Sequence, residues 1–121
     1  MAEQPEKVKV LIITKDINIA GIYLLKFFIN GYEQLVIVDD YLPVVKGSNK
    51  LAFASAAKNE IWVSLLEKGW AKLHGSYAAI TGGAPDFAAC HLAGVPSDTF
   101  KHQENCNLDE FWEVLRSCAE R

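Results

Sequence analysis

Apolar positions along this chain follow two spacings, one typical of strands and one typical of helices. The stretch GIYLLKFFINGYEQLVIVDDYLP, residues 21–43, holds two β-rich apolar runs joined around Asn30-Gly31. That pair tolerates positive φ at both centres of a tight turn, so the stretch predicts a β-hairpin. Both faces of the first strand are apolar, and we therefore expect it to be covered on both sides.

Helical spacing dominates the stretch NEIWVSLLEKGWAKLHG. Asn59 can cap the start of this helix and Gly75 can end it, while Glu60 falls in the first turn, where the helix dipole favours an anion. One face is an apolar stripe and the opposite face is charged, which is typical of a helix packed on a core. The stripe consists of Ile61, Trp62, Leu65, Leu66, Trp70 and Leu73, and the charged face of Glu67, Lys68 and Lys72.

A second helix is predicted over residues 107–121, with Asn107 as its cap and Glu110 three residues later. Its apolar stripe is Leu108, Phe111, Trp112, Leu115 and Cys118. Tryptophans on such stripes belong to a core by default, and this expectation applies to Trp62, Trp70 and Trp112.

The other stretches have weaker patterns. Residues 1–7 are polar and predict a loose leader, and the run VKVLIITKD from Val8 is suited to a strand. A short edge segment is expected at residues 51–54. Residues 81–105 show no regular pattern, and a loop of that length usually serves a function or is supported by a partner.

Length, composition and charge narrow the class of protein. The chain has 121 residues, half of them apolar, which is enough for one core in an α+β domain over residues 8–121. Charge sums to 12 − 15 = −3 without a basic stripe, so nucleic acid and anionic membrane surfaces are not expected as partners. The apolar runs are too short to cross a bilayer and the polar start is unlike a signal peptide, so we expect a cytoplasmic protein. Cys90, Cys106 and Cys118 form no CxxC pair and are expected to be reduced thiols.

Three groups of residues could form a chemical site, and an ordinary structural role is favoured for each. Asp39-Asp40 could act as an acid pair, but neighbours on a strand point to opposite faces, which favours a strand-ending turn. Cys90-His91 could be a thiolate with its base, but adjacent residues rarely achieve the geometry that this requires. The three histidines and the cysteines match no zinc spacing, which favours surface or packing roles for His74, His91 and His102.

Two blocks of the sequence resemble the calpain family of calcium-dependent cysteine peptidases. The block AGIYLLKFFINGYEQLVIVDDYLPV is similar to the family's hairpin ending in Asp-Asp-x-Leu-Pro. The block NEIWVSLLEKGWAKLHGSYAAITGG is similar to its Glu-x-Trp-x-x-Leu-Leu-Glu-Lys helix and to the Gly-Gly that follows. The blocks keep their order and approximate spacing over residues 18–83, more than half of the chain. The resemblance implies part of a papain-like protease core, a β-hairpin with packed helices.

The resemblance also implies roles for three residues. Glu60 is similar to an acidic calcium ligand of the family, whose other ligands flank the catalytic cysteine. Calcium takes six to eight oxygens, so this chain alone is expected to bind it weakly or not at all. Gly83 is similar to the glycine whose backbone pairs with the substrate in the cleft, a mode that side chains would obstruct, and Gly82 would supply the turn.

The family's catalysis needs a cysteine upstream of the hairpin, and a histidine and an asparagine downstream of the Gly-Gly. No Gly-x-Cys-Trp-like segment precedes Asn18, and no His-Ala-Tyr or Asn-x-Trp-Gly segment follows Gly83. The chain is therefore expected to be non-catalytic on its own, as a fragment or homologue of a calpain-type endopeptidase. The alternative is a non-catalytic calpain-like structural or interaction module in a larger assembly. Either function predicts a protein or peptide partner and a neighbouring subdomain or partner chain over exposed apolar surface.

Overall fold

An antiparallel hairpin and four α-helices make up the computed structural model of the chain, which describes residues 5–56, 60–97 and 107–119. This combination confirms the predicted α+β class. None of the helices in these ranges is long and apolar enough to span a membrane. The elements are α1 (Pro5–Leu11), β1 (Ile22–Ile29), β2 (Tyr32–Asp39), α2 (Trp62–His74), a 3₁₀ turn (Ala78–Ile80), α3 (Pro85–Ala93) and α4 (Leu108–Ala119).

The hairpin is the element that the sequence pattern predicts best. β1 and β2 pair in antiparallel register along their whole length, with Ile22 opposite Asp39. Asn30 has a φ of 51° and Gly31 a φ of 82°, so the predicted turn is confirmed. β2 ends at Asp39, as the interpretation of Asp39-Asp40 as a strand-ending turn requires.

The inner face of the hairpin forms the core together with α2. Gly69 lets α2 approach β1 closely, because a Cβ at this position would lie 2.6 Å from Cδ1 of Leu25. The buried cluster comprises Leu11 of α1, the hairpin residues Tyr23, Leu25, Phe27, Val36 and Val38, and Leu65 and Leu66 of α2.

The outer face of the hairpin is covered only in part by the described residues. Leu24 and Phe28 are half-buried, and Phe28 packs against Gly94 after α3. The expected cover on both faces of β1 is therefore complete on one face and partial on the other. Exposed apolar side chains on the outer face are Ile22, Leu35 and Ile37.

The strand predicted from Val8 is wrong, since α1 occupies Pro5–Leu11. Glu6 lies in the first turn, and its carboxylate is 3.0 Å from the Lys9 ammonium. Both features favour a helix, although the β-branched residues of this run favour a strand. The predicted leader, residues 1–7, overlaps the start of α1, and its first four residues lie outside the described ranges.

The segment after α1 runs beside β1. Ile12 forms a bridge with Leu25. The Ile13 N–H donates to the Leu24 carbonyl at 2.9 Å, and the Leu24 N–H donates to Thr14 Oγ1 at 3.0 Å. These bonds satisfy backbone groups on the outer edge of β1.

The predicted helix after residue 59 is confirmed as α2, Trp62–His74, and it ends at Gly75 with a φ of 101°. Its start differs from the prediction. Ile61 takes the N-cap position without a side-chain hydrogen bond, and Asn59 lies outside the described residues. Glu60 precedes the helix, so its expected place in the first turn is wrong.

The charged face of α2 binds neighbouring backbone and does not simply face solvent. The Lys68 ammonium lies 2.6 Å from Asp39 Oδ1 and 2.6 Å from the Tyr41 carbonyl oxygen. The Lys72 ammonium donates to the Ile37 carbonyl at 2.7 Å. Two lysines therefore tie α2 to the outer edge of β2 and to the segment that follows it.

The edge segment predicted at residues 51–54 is reduced to one bridge between Leu51 and Val44. α2 also holds this segment, because the Ala54 N–H donates to Glu67 Oε2 at 2.8 Å.

The loop predicted over residues 81–105 is wrong in part, because α3 spans Pro85–Ala93. Pro85 occupies the first turn, where the backbone N–H that proline lacks has no partner within the helix anyway. Gly94 ends the helix in the left-handed region with a φ of 70°. Residues 98–106, which include Cys106 and His102, lie outside the described ranges.

The second predicted helix is confirmed as α4, and Asn107 Oδ1 accepts the Asp109 N–H at 3.1 Å as a cap. Its apolar stripe is mostly exposed: Leu108 is 70%, Trp112 63% and Leu115 44% accessible. No other described element packs extensively against α4. The expectation that Trp112 belongs to the core is therefore wrong, whereas Trp62 and Trp70 do pack against it.

Candidate cleft wall at the Gly82-Gly83 turn

Gly82 and Gly83 connect the 3₁₀ turn to α3 with their backbone exposed. Their φ angles are 81° and 132°, a region that L side chains rarely adopt. A Cβ built on either glycine would have no atom within 4 Å, apart from its chain neighbours. The backbone of both residues is therefore open to an approaching chain.

A shallow groove of about 390 Å³ lies beside the two glycines. Its wall combines the glycines with apolar and aromatic side chains of α2, the 3₁₀ turn and α3. The lining includes Trp70, His74, Ile80, Gly82, Gly83 and Phe87. Such a surface suits an extended peptide that pairs through its backbone and places an apolar side chain next to it.

Aromatic and imidazole rings form a cluster behind this groove. The Trp70 ring centroid lies 4.8 Å from that of His74 and 4.9 Å from that of His91. The two imidazoles stack with ring planes 11° apart and centroids 5.7 Å apart, and Phe87 meets His91 edge-on at 4.8 Å. His91 is 5% exposed, and its Nδ1 has no hydrogen-bond partner among the described residues. His91 therefore has a packing role, and burial lowers its pKa, with a further contribution from His74.

Glu60 lies at the other candidate position, just before α2. Its side chain is exposed, and its Oε2 accepts a hydrogen bond from Trp62 Nε1 at 2.8 Å. Within residues 5–56, 60–97 and 107–119, no group of three or more His, Cys, Asp or Glu side chains could hold a metal ion. The carboxylate is thus available to an ion, but it belongs to no cluster of three such ligands in the described ranges.

The cysteines of the described residues are free thiols. Cys90 is half-buried on α3 and Cys118 is exposed on α4. No hydrogen bond is found between the Cys90 thiol and the His91 ring, which packs on Trp70 and Phe87 instead. The structure does not assemble a thiolate and its base from Cys90-His91.

Asp39 and Asp40 also fail to form an acid pair. The Lys68 ammonium is bonded to Asp39 Oδ1 and lowers the pKa of this carboxylate. The Tyr41 N–H donates to the same Oδ1 at 2.9 Å and lowers the pKa further. An ionised carboxylate held in this way ends the strand and does not exchange protons near neutral pH.

The sequence of the whole chain, residues 1–121, matches the family described as Calpain family cysteine protease. The chain belongs to the calpain family of cysteine proteases. The resemblance of its hairpin and of its Gly-Gly helix block to this family is therefore confirmed.

Individual calpains give the same result. The chain is 46% identical to the calpain-type cysteine protease DEK1 of Zea mays over 89 residues, which is 73% of this chain and 4% of that protein. It is 48% identical to Calpain-B of Drosophila melanogaster over 104 residues, 86% of this chain and 11% of that protein. It is 37% identical to Calpain-9 of Homo sapiens over 103 residues, 84% of this chain and 14% of that protein. The matched region thus spans only a small part of each of these calpains.

Two features of this calpain-family chain are absent from the sequence predictions. The ring cluster around His91 depends on α3, for which Pro85 at the start and Gly94 at the end were available signals. The bond from Lys68 to the end of β2 depends on how α2 lies across the hairpin, and no local pattern reports that.

Proposed function

We propose that this chain forms one wall of the peptide-binding cleft in a calpain-type cysteine protease core and does not hydrolyse peptides on its own. The observation that carries the proposal is the open backbone at Gly82-Gly83 within a chain that matches the calpain family along its whole length.

The cleft role follows from the chemistry of backbone pairing. An extended substrate offers alternating N–H and carbonyl groups, which pair with an exposed backbone only where no side chain intervenes. Gly83 has no side chain to obstruct that approach, and the adjacent groove offers Trp70 and Phe87 as apolar contacts. In this arrangement the chain orients the peptide, and the reacting groups come from elsewhere in the protease.

The positions of the two thiols that the structure describes, Cys90 and Cys118, support the non-catalytic character. Attack on a peptide carbonyl requires a thiolate activated by a nearby base. Cys90 has no bond to an imidazole, and Cys118 lies on the exposed helix α4. Neither thiol lines the groove beside the Gly82-Gly83 turn.

Calcium enters this proposal through Glu60. We assign this carboxylate as one ligand of a calcium site whose remaining oxygens are supplied outside the described residues. Its exposure and its position before α2 support the assignment. An ion bound there would couple the start of α2 to the rest of the core.

A peptide titration followed by NMR amide shifts tests the cleft role. A casein-derived, unstructured peptide is expected to shift the amides of Gly82 and Gly83, and Gly83→Ala should weaken its binding several-fold because the new methyl group blocks backbone pairing. Gly47→Ala is the matched control, since Gly47 also has a positive φ, 79°, and open space around it, but lies in a distant turn. An equal loss of peptide affinity in both variants would contradict the assignment, and so would amide shifts that do not include Gly82 and Gly83.

A fluorogenic peptide assay with and without calcium tests the second half of the proposal. No turnover is expected from the chain alone. Turnover that disappears in Cys90→Ser would overturn the non-catalytic assignment.

A binding module without a protease role is the alternative function, and the exposed stripe of α4 is the observation that favours it. Leu108, Trp112 and Leu115 present apolar surface that no described element covers extensively. A partner that binds through α4 while Gly83→Ala has no effect on peptide binding would favour this alternative.

A further inference from the structure

The buried ring of His91 packs one side of α3 against α2. It is the buried residue of α3, at 5% exposure, and it packs against Trp70 of α2 at 4.9 Å. The ring of His74, also on α2, stacks on the ring of His91, with the two centroids 5.7 Å apart. The ring contacts between α3 and α2 therefore involve two imidazoles and a tryptophan, while α3 also packs on β1.

Burial and a neighbouring imidazole disfavour the charged form of His91. α2 presents His74, which would be repelled by a second imidazolium. β1 presents Phe28 in the pocket that His91 also lines, and the Lys26 ammonium lies 5.5 Å from that ring and is paired with Glu33. α3 itself carries Cys90 in the same pocket, and Asp86 lies in its first turn. His91 Nδ1 has no partner among the described residues.

Loss of the contact between His91 and Trp70 would also change the groove beside Gly82 and Gly83. Phe87 touches His91 at 4.8 Å, and Phe87, Trp70 and His74 all line the groove beside Gly82 and Gly83. α3 begins two residues after Gly83, so movement of α3 changes the groove and the turn together.

We propose that the docking of α3 is a pH-sensitive device: protonation of His91 releases α3 from α2 and reshapes the groove beside Gly82-Gly83. The effect on peptide binding rests on the proposed function, whereas the release of α3 does not.

The direction of the pH effect follows from the lowered pKa of His91, whose largest cause is burial. A released imidazole titrates near its usual value of about 6.5. Docking is therefore fully favoured above that pH, and it weakens as the pH falls below it toward the lowered pKa of the docked ring.

Hydrogen exchange measured by mass spectrometry on the full chain tests this proposal. After correction for the intrinsic exchange rate, protection of residues 85–93 is expected to fall several-fold between about pH 7.5 and about pH 5.5, while that of β1 stays constant. His91→Phe, which keeps an apolar ring without a titrating group, should abolish the pH dependence. His74→Gln removes the repelling neighbour, so the docked state should tolerate the protonated ring better and the loss of protection should become smaller or move to lower pH.

An NMR titration of the His91 ring provides a measurement that needs no variant. A His91 pKa at or above 6.5, or protection of residues 85–93 that is the same at both pH values, would overturn the proposal. A pH-dependent loss that persists in His91→Phe would do the same. If α3 is released on acidification but no peptide binds at either pH, the proposed cleft function fails and the pH device stands.

Discussion

Glu60 illustrates at the scale of one residue why family membership does not by itself give a metal site. Its carboxylate is exposed, and Oε2 is already bonded to Trp62 Nε1 at 2.8 Å. Calcium needs six to eight oxygens, and the described residues place no cluster of three acidic, histidine or cysteine ligands together. A calcium site at Glu60 would therefore need ligands from other parts of a protease core.

Calorimetry of the chain with calcium checks this conclusion. We expect binding no tighter than about millimolar, because a single carboxylate with water as its remaining ligand defines a weak site. Glu60→Ala should remove what little binding there is, and Asp16→Asn, which changes another exposed carboxylate, should leave it unchanged. Micromolar binding that is lost in Glu60→Ala would contradict the prediction.

At the scale of elements, the end of α3 is fixed by a glycine that packs on the hairpin. Gly94 has a φ of 70°, and a Cβ there would lie 2.9 Å from the ring of Phe28. A side chain at this position would meet both an unfavourable backbone conformation and a filled space. This contact fixes the C-terminal end of α3 against β1.

Gly94→Ala is expected to destabilise the chain by about 1–3 kcal/mol, because the methyl group overpacks against Phe28 in addition to straining the backbone. Urea denaturation measures the change in the free energy of unfolding. Gly47→Ala shares the positive φ but has open space around it, so it should cost only the backbone strain, about 1 kcal/mol. Equal destabilisation by both substitutions would show that the contact with Phe28 contributes nothing.

The elements that the sequence predicts correctly are those whose signals are local. Asn30-Gly31 specifies its turn, and the apolar stripe and Gly75 specify α2. The first helix is missed because the valines around Val8 favour a strand, while a proline start and the Glu6 to Lys9 pair favour a helix. The cleft wall could be assigned only through the family resemblance, since two adjacent glycines have many structural uses.

Contacts between distant segments could not be predicted. Lys68 has the appearance of a solvated side chain in the sequence, and only the crossing of α2 over the end of β2 brings its ammonium to Asp39. The buried position of His91 similarly depends on where α3 lies against Trp70.

At the scale of the whole molecule, the described residues leave several large apolar side chains exposed to solvent. The stripe of α4 and part of the outer face of the hairpin are exposed, and contiguous apolar surface of this kind often marks a contact site. The family relatives are many times longer than this chain, so further protein is available in them to cover such surface.

Sedimentation velocity is expected to show self-association of the isolated chain together with binding of the dye ANS. Trp112→Glu should reduce both, because it places a charge in the exposed stripe of α4. Ile19→Glu is the control, since Ile19 is an apolar residue outside α4 that is even more exposed than Trp112. A monomer at all concentrations that binds no ANS would contradict the prediction.

The lysines of α2 also determine which form such association can take. Lys68 and Lys72 occupy outward carbonyls of β2, at Asp39 and Ile37, while the segment after α1 occupies the Leu24 carbonyl of β1. The end of the sheet around these residues is therefore closed to a strand from another molecule, which hinders the pairing that starts fibril growth. Clusters of this chain should accordingly be helix-mediated, limited in size and dispersible, without the cross-β diffraction or thioflavin fluorescence of amyloid.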